Sequence, residues 1–206
     1  MRLAGRLLKL LVGLSMFGLG SWLGLQAHLG VGPWDVLHGG LAKHLGTPFG
    51  RTSIGVSVVV LLVAVAARVR PGIGTVLNVV LIGSVIDLLL GTTWLDGLGD
   101  DALGLRLLTT AAGIVAVAIG SALYLGAHLG PGPRDGLMVA IHQRTGWKVG
   151  TARAVLECSV LIAGVLLGGP VGIGTVAFAL GIGPAVQLAF RVLRQTPVRR
   201  VVEAHA

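Results

Sequence analysis

Apolar runs dominate the chain, and its polar residues gather between them. A helix that crosses a bilayer needs about 20 mostly apolar residues. Runs near that length cover residues 7–29, 52–67, 75–90, 103–129, 151–167 and 174–190. The second stops at Arg68-Val69-Arg70-Pro71, and the third follows a Gly-Ile-Gly turn. An acidic link at 92–102 separates the third run from the fourth. Two stretches, 32–50 and 132–150, are too polar and too short to span. Each predicts a short helix. Pro33 and Pro133 suit the first helical position, where a missing N–H costs nothing. Asp35 and Asp135 lie in the first turn, where negative charge meets the positive helix end. Gly46 and Gly146 suit the stop.

The pattern occurs twice, at an offset of 100 residues without a gap. Ala27-His28-Leu29-Gly30-Val31-Gly32-Pro33-Trp34-Asp35 returns as Ala127-His128-Leu129-Gly130-Pro131-Gly132-Pro133-Arg134-Asp135. Gly72-Ile73-Gly74-Thr75-Val76 returns as Gly172-Ile173-Gly174-Thr175-Val176. Roughly a third of the positions in 20–90 are identical in 120–190. Three spans per copy is an odd number, so the copies take opposite orientations about a pseudo-two-fold axis in the membrane plane. The expected fold is an all-α polytopic membrane protein. It has two inverted-topology repeats of three transmembrane helices, each with a short Gly-Pro-x-Asp half-membrane helix.

Composition agrees. Hydrophobic residues make up 54% of the chain and charged residues 12%, against about 25% charged in soluble domains. Glycine, at 34 of 206 residues, lies inside the apolar runs. Small residues there let helix backbones approach where lipid supplies no hydrophobic drive. The formal charge of +8 is not a nucleic-acid signal, because the basic residues flank apolar runs. They orient the chain instead. Arg2, Arg6 and Lys9 place the N-terminus in the cytoplasm, with Arg68, Arg70, Arg134, Arg144, Lys148 and the tail from Arg191 on the same side. Asp96, Asp100 and Asp101 fall outside; Lys43 and Arg51 are the exceptions. The basic start resembles a signal peptide. The repeated block begins inside its apolar run, however, so a retained first helix is expected. The chain divides into a first membrane repeat (1–91), an extracytoplasmic link (92–102), a second membrane repeat (103–190) and a basic cytoplasmic tail (191–206). A single cysteine, Cys158, excludes an internal disulfide and any thiolate cluster.

The Gly-x-Gly-Pro-x-Asp block, the Gly-x-Gly-Thr block and the duplicated span pattern resemble the YczE/YyaS/YitT group of bacterial integral membrane proteins. The likeness covers nearly the whole chain and favours the short YczE-like branch, which carries no soluble domain after the last span. It implies a multi-pass protein of the bacterial cell membrane. It carries over no catalytic residues, and the second copy departs from the first in having Arg134 where Trp34 stands.

Several residues carry candidate chemistry. Asp35 and Asp135, beside Gly32 and Gly132, either cap their helices or bind a cation, proton or polar solute where two helix starts point inward. His28 and His128 precede the glycine turns. They either hydrogen-bond at helix ends or relay protons along a pathway, and nothing in their spacing brings them together with the aspartates as metal ligands. Asp87, deep in the third span, is a second pathway candidate, because intramembrane charges are expensive and usually have partners or water. Arg153 and Glu157 share a helix face and predict an ion pair near the cytoplasmic surface. Thr75 and Thr175 suit helix caps or a second contribution to a substrate site. The Gly-Ile-Gly-Thr blocks lack the lysine and preceding strand of a phosphate loop.

These patterns point to a small secondary-transporter-like or channel-like protein that moves an ion or small polar solute, with its site at the repeat interface. The alternative is a non-transporting scaffold or regulator of a partner enzyme, held through the basic tail. No enzyme motif, metal site or cofactor is indicated. The expected partners are the lipid bilayer and an unidentified ion or small solute. A homodimer and a cytoplasmic partner protein are further candidates. The orientation has a direct check. With Cys158 replaced, cysteines introduced at Trp94 and Val202 should label from opposite membrane faces. Labelling from one face would remove the inverted arrangement.

Overall fold

The computed structural model describes residues 3–194, all helix, turn and loop. The elements are α1 (Leu3–Gln26), α2 (Pro33–Leu45), α3 (Phe49–Ala66), α4 (Ile73–Leu90), a 3-10 turn (Leu98–Asp100), α5 (Leu103–Leu125), α6 (Pro133–Thr145), α7 (Val149–Leu166) and α8 (Ile173–Val192). All except α2, α6 and the 3-10 turn are long and apolar enough to cross a membrane. Most of the tail expected at 191–206, including Arg199, Arg200 and Val202, lies outside the described residues.

Glycine places α1 against α5. A Cβ on Gly20 would stand 2.6 Å from Gly113 O, and one on Gly120 would stand 2.6 Å from Gly13 O. No real side chain tolerates such distances, so the two backbones touch. Gly13 meets Gly120 whereas Gly20 meets Gly113, so rising numbers on one helix meet falling numbers on the other. The helices therefore run antiparallel. Leu10 and Leu14 of α1, Ile82 and Ile86 of α4, Val117 of α5 and Ile182 and Val186 of α8 form the core around this seam. Leu62, Leu88, Leu108, Leu166 and Leu180 remain exposed on the outside, as a lipid-facing surface requires.

The first and fifth helices end earlier than the apolar runs suggest, at Gln26 and Leu125 rather than near residues 29 and 129. His28 (φ 51°) and His128 (φ 54°) take the left-handed conformation there and turn the chain. The last carbonyls of a helix lack intrahelical partners. Here the opposite half supplies them. Arg106 Nε donates to Ala27 O at 2.9 Å and its Nη2 to His28 O at 2.8 Å. Arg6, its counterpart one repeat away, donates Nε to Ala127 O at 2.8 Å and Nη2 to His128 O. Lys9 Nζ adds a bond to Gly126 O at 2.7 Å.

The Gly-Ile-Gly turns dock in the same reciprocal way. Gly74 N donates to Leu129 O and Gly174 N to Leu29 O, each at 2.7 Å. A Cβ on Gly72 would collide with Leu129 O, and one on Gly172 with Leu29 O. Their φ values, −98° and −178°, suit any residue, so glycine is required here for space. The short helices are exchanged too: α2 packs on α7 and α6 on α3. Gly164 of α7 lies so close to α2 that a Cβ would meet Leu37 N at 2.6 Å.

The seam makes glycine position decisive. Gly20→Leu would overpack a backbone contact, a cost of about 3 kcal/mol and a Tm loss of about 6–12 °C. Gly55→Leu has open space within 4 Å of its Cβ and should leave Tm unchanged. Thermal unfolding of the purified proteins decides. Equal Tm values for the two variants would mean the seam does not hold the fold.

Candidate functional site

The helices α2 and α6 begin at one cavity of about 100 Å³. Both start by the same local chemistry. Gly32 and Gly132 are extended caps (ψ 157° and 162°), Pro33 and Pro133 open the helix, and Asp35 and Asp135 fill its first turn. Gly46 (φ 62°) and Gly146 (φ 70°) end it in the left-handed conformation. Gly32, Trp34 and Asp35 line the cavity from α2, and Gly132, Arg134 and Asp135 line it from α6. Asn78 of α4, Ser121 and Tyr124 of α5, and Arg153 and Glu157 of α7 complete its polar wall. The structure therefore brings together Asp35, Asp135, Gly32 and Gly132.

Each charged group has a distinct setting. Tyr124, the sole tyrosine of the chain, donates its hydroxyl to Asp135 Oδ2 at 2.5 Å. Asp35 is 6% exposed. Its Oδ1 lies 3.4 Å from Nδ1 of His38, an ion-pair distance for a protonated ring, though neither ring nitrogen of His38 has hydrogen-bond geometry to any partner. His38 is fully buried and stands edge-on to Phe49, with ring centroids 5.9 Å apart. The Arg134 guanidinium lies over the Trp34 ring, 4.6 Å from its centroid. Those two residues occupy equivalent repeat positions and meet face to face. Arg153 Nε is 3.9 Å from Glu157 Oε1. The charge of Arg134 acts on both Asp35 and Glu157.

A second cavity, of about 20 Å³, shares Gly32, Asp35 and Phe178 with the first. Ser21, Gly24 and Thr110 are among its other walls. It is bounded by the end of α1 and the starts of α5 and α8, whereas the larger cavity is bounded by the end of α5 and the starts of α4 and α7, with Phe17 of α1 and Phe178, Ile182 and Val186 of α8 between them. Because α1 and α5 are antiparallel, the two cavities lie toward opposite ends of the seam. They are related by the repeat: Ser21 corresponds to Ser121, Gly24 to Tyr124 and Asp35 to Asp135. Phe178 packs on Gly32, where a Cβ would stand 2.7 Å from its ring. Asn78, the counterpart of Phe178, lies looser on Gly132, at 3.1 Å.

Other candidate residues fall elsewhere. His28 and His128 are exposed at the ends of α1 and α5 and line neither cavity. His28 rests against Gly99 of the link. Asp87 is a cap rather than part of the cavity wall: Gly50 N donates to its Oδ1 at 2.5 Å and Arg51 N to its Oδ2 at 2.9 Å. It thus serves the unsatisfied start of α3. Thr75 accepts from Gly72 N at 3.0 Å and donates to Pro131 O at 2.7 Å. Thr175 accepts from Gly172 N at 3.3 Å. Both threonines hold turns. The Arg153–Glu157 pair forms as the spacing predicts, but it borders the cavity. Sequence reasoning missed His38 and Tyr124. His38 had a signal, since it lies three residues beyond Asp35 on one helix face. Tyr124 had none, because its aspartate is on another helix.

Comparison with known proteins places these features in a group. A model described as a family of unknown function (DUF6198) matches residues 4–191. An uncharacterized protein of Haemophilus influenzae is 42% identical over 188 residues, covering 91% of this chain and 84% of the relative. The uncharacterized membrane protein YczE of Bacillus subtilis is 35% identical over 157 residues, covering 74% of this chain and 69% of YczE. The uncharacterized protein YyaS of the same organism is 28% identical over 169 residues, covering 80% and 82%. No solved structure matches the chain. The likeness to YczE and YyaS read from the motifs thus extends along most of the chain.

The capping geometry of Asp87 separates it from the cavity in experiment. Asp87→Ala removes two charge-assisted hydrogen bonds, worth about 1.5–3 kcal/mol, and should lower Tm by about 3–12 °C. Labelling of a cysteine at Ser121 should stay unchanged in that variant. A wild-type Tm with altered Ser121 labelling would return Asp87 to the pathway.

Proposed function

We propose, for a chain that belongs to the DUF6198 family of unknown function, that it is a small membrane carrier whose two inverted repeats expose one central site alternately to the two faces. The six apolar helices make it a multi-pass membrane protein. The antiparallel course of α1 and α5, which are repeat counterparts, supports the inverted arrangement. So does the exchange of docking contacts between the halves.

One observation carries the reading. The two Gly-Pro-x-Asp helix starts border one cavity whose largely apolar wall carries five charged side chains, and a smaller repeat-related cavity lies beyond Asp35. A scaffold needs neither. In an inverted-repeat carrier the halves adopt unequal conformations and exchange them, so the wide cavity closes as the narrow one widens. With the orientation taken from the basic residues, the wide cavity faces the cytoplasm. Asp35 borders both cavities and remains at the site throughout. Phe178 closes the narrow side by resting on Gly32. The reading contains no catalytic step, so the chain acts as a carrier and not as an enzyme.

Paired cysteines test this without knowledge of the solute. In a Cys158→Ser background, Ser121→Cys should react with a charged thiol reagent from the cytoplasmic face. Ser21→Cys should react slowly, from the opposite face. Adding Phe178→Asn, the residue of the other repeat, should raise the Ser21→Cys rate at least tenfold. Reaction of both cysteines from one face, or a Ser21→Cys that stays inert in both backgrounds, would sink the carrier.

A further inference from the structure

We propose that the cavity binds a small organic cation, of guanidinium or alkylammonium type, and that Arg134 is the chain's own stand-in for it over Trp34. The inference rests on the carrier reading for its purpose, but its binding site is defined by geometry alone.

The charged side chains at the wall sum to one net negative charge. Asp35, Asp135 and Glu157 oppose Arg134 and Arg153 at the cavity wall. Arg153 is spoken for by Glu157 at 3.9 Å. That leaves two carboxylates and one guanidinium. Each helix start carries about half a positive charge, which its own first-turn aspartate offsets. The two half-charges together cancel the remaining negative charge, so the aromatic surface, and not the net charge, is what favours a cation.

The aromatic surface selects the kind of cation. Phe17, Trp34, Tyr124 and Phe178 all face the cavity. An aromatic face attracts organic cations, and tryptophan does so most strongly. The Trp34 face is already covered by a cation, Arg134, at 4.6 Å. Among the described residues Arg134 has no carboxylate within ion-pair distance, so the ring holds it in place. An arginine parked on an aromatic face, with no carboxylate partner of its own, occupies the position a ligand cation would take. In the first repeat that position is Trp34 itself, so the two copies provide the two halves of one cation–aromatic contact.

Size sets the limit. The cavity of about 100 Å³ is smaller than the roughly 150 Å³ that accommodates benzene in an apolar protein cavity, and equals about three waters. Methylguanidinium, a small planar cation, is of this scale. Withdrawal of Arg134 from the ring would enlarge the site as the ligand arrives.

The stand-in makes an unusual sign prediction: removing a side chain from the site should strengthen binding. The full chain is purified with Trp22, Trp94 and Trp147 replaced by Phe, so that Trp34 alone reports. Methylguanidinium should change its fluorescence saturably, whereas acetate and glycine should not. Arg134→Gln should tighten methylguanidinium binding at least tenfold, and Asp135→Asn should weaken it at least tenfold. Unchanged thermal unfolding shows that each variant is folded. Saturable acetate binding that is lost in Arg134→Gln would overturn the proposal in favour of an anion site. Glycine binding lost in both variants would overturn it in favour of a zwitterion site. No saturation by methylguanidinium in folded Arg134→Gln would also overturn it. Liposome flux separates this inference from the carrier reading. Cation binding without flux sustains the site and removes the carrier, while flux of an anion without cation binding does the reverse.

Discussion

The fold depends on backbone contact between α1 and α5. In lipid, apolar side chains gain nothing by leaving their surroundings, so association requires close packing and polar contacts. Gly13, Gly20, Gly113 and Gly120 remove the side chains that would hold the two backbones apart. Everything else is positioned from that seam. Tyr124 extends from its α5 side toward Asp135, and Phe17 lies edge-on to Tyr124 from the α1 side. The turns that deliver α2 and α6 leave from its two ends.

The repeat supplies a frame and its divergence supplies the chemistry. Equivalent positions hold the frame: Gly32 and Gly132, Asp35 and Asp135, Gly72 and Gly172, and Arg6 and Arg106. Unequal positions fill the site. Tyr124 replaces Gly24, Arg134 replaces Trp34, Arg153 replaces Ser53 and Glu157 replaces Ser57. Most of the added charge comes from the second copy, while the first copy contributes Asn78 in place of Phe178 at the cavity and His38 in place of Met138 behind Asp35. A symmetric frame thus carries an asymmetric interior, consistent with one wide and one narrow cavity.

Much of this was legible along the chain. The spans, the short helices and their stops follow from runs of apolar residues, Pro33 and Pro133, and Gly46 and Gly146, all of which act locally. Asp35 and Asp135 were legible because duplication singled them out. What stayed hidden was pairing across distance. The roles of Arg6 and Arg106 depend on carbonyls about 80 to 120 residues away. Asp87 reads as an isolated intramembrane charge because the N–H groups it serves begin another helix. His28 and His128 stood out as a repeated titratable pair. Their repetition reflects a left-handed helix end and not a place at the cavity.

The crossed Arg6 and Arg106 bonds bear on how the protein is made. Helix ends in the first half are completed by a residue of the second, and the reverse also holds. When α1 has left the ribosome, about 100 residues must still be added before its partner helix arrives. At ordinary synthesis rates of 5–20 residues per second this takes about 5–20 s. During that interval the α1 carbonyls at Ala27 and His28 and the bare glycine stripe have no partner in the chain. Lipid headgroups, water or the insertion machinery must hold them meanwhile. Assembly is therefore a single late event that closes both halves at once, and neither half has a finished state of its own.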